Sequence, residues 1–224
     1  MLAIDERIDI QIDREEVLRY LGYQAGHKVP ARILSLVDRH IQNASQLIEP
    51  QHSFVIRNTE GVEGDKVFFG DVTFESRIIA QLMQRCQKAA VFAVTIGGSL
   101  EGQVRQLADE GRVLEAAIMD AVGSDAAEKA ATAVQGRVRE IANAQGLGIS
   151  SRFSPGYCDW DIGQQTMVFH AMNGRSAGIR LTDSCLMVPR KSVSGVIGMS
   201  PHGGELERWS PCQSCKRRNC PGRR

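Results

Sequence analysis

Six consecutive residues hold most of the recognisable chemistry: Arg152-Phe153-Ser154-Pro155-Gly156-Tyr157. The Arg152 guanidinium can grip a carboxylate bidentately, and Pro155-Gly156 dictates a tight turn that leaves main-chain N–H and C=O groups facing outward. Tyr157 adds a flat ring with one polar end. Together these groups suit a ligand that carries a carboxylate, hydrogen-bonding groups and a planar apolar part. The plain structural alternative is a strand-to-turn exit with a surface arginine.

A second block lies some thirty residues on. Leu181-Thr182-Asp183-Ser184 is followed by Met187, Pro189 and Ser192-Val193-Ser194-Gly195. Asp183 and Ser194 are polar groups among strand-type residues, candidates to line a cleft or to serve as turn and ladder partners.

R-x-x-P-G-Y, then L-T-[DE]-S-x-x-M-x-P-x-x-S-V-S-G, resembles the reactivation domain of cobalamin-dependent methionine synthase, specifically over residues 152–195. The resemblance implies an α+β fold, S-adenosylmethionine as ligand and a corrinoid as the methyl acceptor. It assigns carboxylate binding to Arg152, a backbone contact to Ser154 and an aromatic contact to Tyr157; Pro155 and Gly156 make the turn that carries them, and Asp183 and Ser194 are the further candidates for the cleft. Two positions depart from the pattern: Ile197 stands where the family has a tyrosine, and Gly136 where it has an acidic residue on a long helix. No Asp-x-His-x-x-Gly corrinoid motif is present, since after Asp38 and His40 the glycine position holds Asn43. The cobalamin must then belong to a partner, a methionine synthase lacking its own domain or another corrinoid protein. The chain would support reductive remethylation of that partner's cobalt, with a flavodoxin- or ferredoxin-like electron donor. The rival reading is a corrinoid-protein cap that does not bind the methyl donor.

The C-terminus adds a different chemistry. Cys212, Cys215 and Cys220 form C-x2-C-x4-C, three soft ligands for zinc or an iron–sulfur cluster, with Cys158, Cys185 or His202 available as a fourth. The resemblance does not extend to this tail, and a reduced tail without metal is the alternative. Its Lys216, Arg217, Arg218, Arg223 and Arg224 could steer an acidic electron carrier. A zinc-ribbon contact to nucleic acid is a further reading, but an aromatic set for base stacking is lacking.

Composition limits the field. Lys and Arg number 27 against 26 for Asp and Glu, so whole-chain charge gives no attraction to nucleic acid or to a membrane. No stretch approaches the ~18 apolar residues of a membrane span, and the first residues do not read as a signal peptide, which points to the cytoplasm. Six cysteines, half of them in the tail, are poorly placed for a disulfide framework.

The elements that must position these groups read as α+β, with a mainly antiparallel twisted sheet flanked by helices, over residues 1–200, and a cysteine-rich tail over 201–224. Alternation at Ile8, Ile10 and Ile12 predicts a strand, Asp13 with Glu16 a capping box, and Pro30 the start of a second helix ending near Pro50. Residues 54–56 and 67–69 read as a hairpin pair, 78–86 as a helix and 90–96 as a buried strand. Gly97-Gly98 turns into another helix. Residues 112–144 carry the longest helical pattern, interrupted at Gly123. Strands follow at 149–153, 179–187 and 192–199, around a helix at 161–173.

Overall fold

A computed structural model describes residues 8–24, 26 and 28–210. At its centre is a four-stranded sheet in the order β1-β5-β9-β6, built from Gln51–Asn58, Lys88–Thr95, Ser192–Ser200 and Gly148–Phe153, with every neighbouring pair antiparallel. A three-stranded sheet, β2 (Gly61–Glu63), β3 (Lys66–Phe69) and β4 (Val72–Glu75), stands apart from it, as does the β7–β8 hairpin of Arg180–Leu181 and Met187–Val188.

The apolar run of β5 explains the layering. Because successive strand side chains point to opposite faces, Ala90, Phe92 and Val94 enter one core while Ala89, Val91 and Ala93 enter the other. The first core is roofed by helices α1 (Arg14–Tyr20), α2 (Ala31–Ala44), α4 (Ser99–Asp109) and α5 (Val113–Asn143). The second is closed by the small sheet, α3 (Arg77–Met83), α6 (Gln165–Ala171) and α7 (Gly203–Arg208). A strand buried on both faces shows no polar alternation, and its sequence shows none.

The predicted α+β class is the observed one, with local corrections. Residues 8–12 form no strand: Ile8 is buried and Ile10 and Ile12 pack on the helical core, so the alternation records one-sided burial without a ladder partner. Asp13 does cap α1, its Oδ1 accepting from the Glu15 N–H at 2.9 Å and the Glu16 N–H at 3.5 Å. The reciprocal half of the box is absent, because the Asp13 N–H donates to Asp125 Oδ2 at 2.7 Å. That bond ties the start of the chain to α5.

The expected hairpin between residues 54–56 and 67–69 is also not formed. β1 pairs along its whole length with β5, from Gln51↔Thr95 to Asn58↔Lys88, while β3 turns back on β2 and β4. Short apolar runs carry no information on their partner, and the doubly buried β5 offered the longer ladder.

Gly123 does not interrupt α5. A Cβ there would lie 2.7 Å from Leu100 Cδ2 and 3.2 Å from Lys191 Cε, so glycine serves close packing against the helix and not its termination. Residues 179–187, expected as one strand, are two short strands around a turn. Beyond Ser200 the chain still packs: Leu206 is buried, and the Trp209 ring lies 5.5 Å from that of Phe153.

Candidate functional site

Arg152 leaves the edge strand β6 and reaches across to α5. Its Nη2 lies 3.1 Å from Glu128 Oε2, and its Nη1 is 3.4 Å from Thr132 Oγ1 and 3.5 Å from the Glu128 carbonyl oxygen. The burial is lopsided. The arginine side chain is 18% exposed and the glutamate 46%, so the cation is held inside while its counter-ion stands in water.

The turn after β6 closes on itself. The Tyr157 N–H donates to the Ser154 carbonyl at 3.3 Å, the Gly156 N–H to the Trp160 carbonyl at 2.8 Å, and the Trp160 N–H back to the Tyr157 carbonyl at 3.0 Å. Pro155 is buried and anchors the turn, whereas Tyr157 projects into solvent at 66% exposure. Asp159 moors the far side, accepting from the Ser76 hydroxyl at 2.9 Å, the Arg77 N–H at 3.0 Å and the Ile78 N–H at 3.3 Å at the start of α3. Gln164 adds a second mooring on Glu75, its Oε1 accepting the Glu75 N–H at 2.8 Å and its Nε2 donating to the Glu75 carbonyl at 2.7 Å. The Trp160 indole N–H shares that Oε1 at 3.0 Å. A loop with this many fixed points can present Tyr157 in one orientation.

The two sequence blocks meet at Gly195. A Cβ on that residue would stand 2.0 Å from the Phe153 carbonyl oxygen and 3.0 Å from Ser154 Oγ. Only a residue without a side chain lets β9 pass so close beneath the turn, which is what requires glycine at the end of Ser192-Val193-Ser194-Gly195.

The remaining candidates are placed differently. Ser194 is 2% exposed and its hydroxyl accepts from Gln165 Nε2 of α6, so it lies in the interior and not on an open wall. Asp183 is exposed at the tip of the β7–β8 hairpin. There Thr182 Oγ1 accepts the Leu186 N–H at 3.1 Å and lies 3.0 Å from Ser184 Oγ. Cys185 Sγ lies 3.8 Å from the Gly163 carbonyl, and Ile162 Cδ1 is 3.2 Å from where a Cβ of Gly156 would be. Residues 162–163 therefore join the hairpin tip to the turn. Tyr157, Ile162 and Leu186 all project here, 66%, 43% and 58% exposed.

Both departures have a structural outcome. Ile197 faces Arg152 in the β6–β9 ladder, yet its side chain is fully buried in the helical core and offers the site nothing. Gly136 is not where the acid comes from. The carboxylate beside Arg152 is Glu128, two helical turns earlier, and nothing in the sequence spacing marks it, because the register of α5 against β6 is a tertiary property. Cys212, Cys215 and Cys220 lie outside the described residues. Among the described residues no cluster of histidine, cysteine or acidic side chains could hold a metal ion, and no helix is long and apolar enough to cross a membrane. Of the suggested fourth ligands, Cys158 is exposed beside Tyr157, Cys185 sits in the hairpin, and His202 precedes α7.

Comparison with known proteins gives the fold and the family. No curated protein matches the chain in sequence. Among solved structures, the crystal structure of the MetH reactivation domain bound to AdoHcy is similar, with a TM-score of 0.66 and 15% identity over 85% of this chain and 74% of that one. At that identity the likeness establishes the fold. The family model described as vitamin B12 dependent methionine synthase, activation domain, matches residues 77–206, more than half of the chain and all of the turn, hairpin and β9. The chain therefore belongs to the activation-domain family of vitamin B12 dependent methionine synthases.

Proposed function

We propose that this protein binds S-adenosylmethionine at the Arg152 turn and presents it to a corrinoid carried by a separate protein, supporting reductive remethylation of that protein's cobalt. The observation that carries this reading is the Arg152–Glu128 couple at the start of the turn that carries Tyr157. A methionine-type zwitterion needs a cation for its carboxylate and an anion for its ammonium, a few ångströms apart. Arg152 and Glu128 already stand in that relation. On ligand binding each exchanges its partner for the ligand's opposite charge, so neither is left unpaired. Ser154 offers backbone groups, and Tyr157 a face for the adenine.

When bound, S-adenosylmethionine would supply a methyl group to the partner's cobalt, reduced by the external electron donor, and leave as S-adenosylhomocysteine; this chain's task is alignment. No general base is required of it. Arg152 and Glu128 orient the amino-acid end, the moorings at Asp159 and Gln164 hold the turn, and exposed Tyr157, Ile162 and Leu186 form an apolar rim against which the corrinoid protein docks. The electron enters from a flavodoxin- or ferredoxin-like donor, which the basic C-terminal residues would attract, and Cys212, Cys215 and Cys220 would hold a cluster or zinc in support.

Calorimetry with S-adenosylmethionine tests the reading. Wild type binds, and Arg152→Ala loses roughly 1.5 to 3 kcal/mol, the scale of a charge-assisted hydrogen-bonded contact. Absence of binding by the wild type would favour the corrinoid-protein cap instead. Mixing the protein with a cob(II)alamin-loaded partner, a low-potential reductant and S-adenosylmethionine should give the methylcobalamin spectrum only when this chain is present.

A further inference from the structure

The corner where α4 meets α5 holds a second cationic feature, remote from Arg152. A cleft of about 510 Å³ lies between α2 and this corner, lined on one side by Arg32, Leu36 and Arg39 and on the other by Arg112, Val113 and Leu114. Glu128 is fifteen residues further along α5, so the cleft is on the order of 20 Å from the methyl-donor turn.

Three guanidiniums face this space, and its one lining carboxylate is already engaged. Glu115 Oε2 receives Arg39 Nη2 at 2.9 Å, Arg112 Nη2 at 2.8 Å and His40 Nε2 at 3.1 Å. Arg112 also pairs with Glu110 at 3.0 Å. Arg32 is exposed and has no partner among the described residues. Positive charge therefore exceeds negative charge at the rim. The floor is apolar, and it is uncovered: Val113 is 69% exposed and Leu114 44%.

We propose that this cleft docks an acidic segment of a partner protein, with carboxylates on the arginine rim and an aliphatic side chain on Leu36, Val113 and Leu114. A free phosphate or small carboxylate would satisfy the arginines and leave Val113 and Leu114 in water. An open cleft also encloses too little of a small molecule to hold it well. Arginine beside exposed aliphatic surface is the composition of a protein–protein contact, and the charge excess specifies an acidic partner. The inference does not depend on the Arg152 site.

The test uses the full chain and a fluorescein-labelled peptide of sequence Glu-Leu-Glu-Asp-Leu-Glu, followed by anisotropy at low and at physiological salt. Binding is expected to saturate and to weaken with salt. Arg32→Glu should weaken it roughly tenfold and Leu114→Ser roughly threefold, each with an unchanged melting temperature because both side chains stand at the surface. Equal binding by wild type and Arg32→Glu would overturn the proposal and move the contact to the basic C-terminus. Displacement by inorganic phosphate but not by chloride of equal ionic strength, with Leu114→Ser unaffected, would make the cleft a small-anion site and overturn it too. So would failure of the peptide to bind.

Discussion

Two arginine–glutamate pairs involve α5, one reaching across from β6 and one closing the helix's own first turn, and they are built in opposite senses. At Arg152–Glu128 the guanidinium side chain is 18% exposed and the carboxylate 46%. At Arg112–Glu115 the carboxylate is 19% exposed and the guanidinium 46%. Glu115 is gripped by Arg112, Arg39 and His40, and these hydrogen bonds, Arg112's foremost, hold its carboxyl down at about 2. Such a saturated carboxylate fastens α2 to α5 and has no capacity for anything else. Glu128 has Arg152 as its partner in a position open to water, where a ligand's ammonium could replace it. One chemical pair thus serves as a fastener or, on the proposed function, as a receptive site, according to which member is buried and how many donors it has.

The largest effect expected is on the close passage beneath the receptive pair. Gly195→Ala forces a methyl against the Phe153 carbonyl oxygen, 2.0 Å from where its Cβ would stand, and backbone cannot yield as a side chain would. A loss of about 3 kcal/mol of stability is expected from thermal or urea unfolding, together with loss of S-adenosylmethionine binding. A variant that melts and binds like wild type would show that β9 does not support the turn.

Next in size, Glu128→Gln should weaken S-adenosylmethionine roughly tenfold by calorimetry while moving the melting temperature little, since the pair is partly in water. Glu115→Gln should do the reverse, lowering the melting temperature with donor affinity intact. If both variants lose affinity equally, the contrast between the two pairs fails.

The smallest effect is confined to acid. Glu115 titrates at about 2 in the folded protein against 4.5 ordinarily, so the folded state binds its proton more weakly than the unfolded chain. Its contribution is fully present above about 4.5 and is lost as the pH falls towards 2. The stability difference between wild type and Glu115→Gln should therefore be level near neutrality and shrink across that window in urea titrations. A difference independent of pH would mean that Glu115 acts through packing alone.

The α+β class, α5, the doubly buried β5, the turn at Pro155-Gly156 and the Arg152 and Tyr157 candidates were legible in the sequence, because period, turn chemistry and motif spacing are local properties of the chain. Tertiary structure decided the rest. It paired β1 with β5, left residues 8–12 unpaired, buried Ser194 and Ile197, and brought Glu128 to Arg152 across 24 positions. Strand partnership and the register of a helix on a sheet depend on which distant surfaces bury the most apolar area together, and no local window of sequence contains both surfaces.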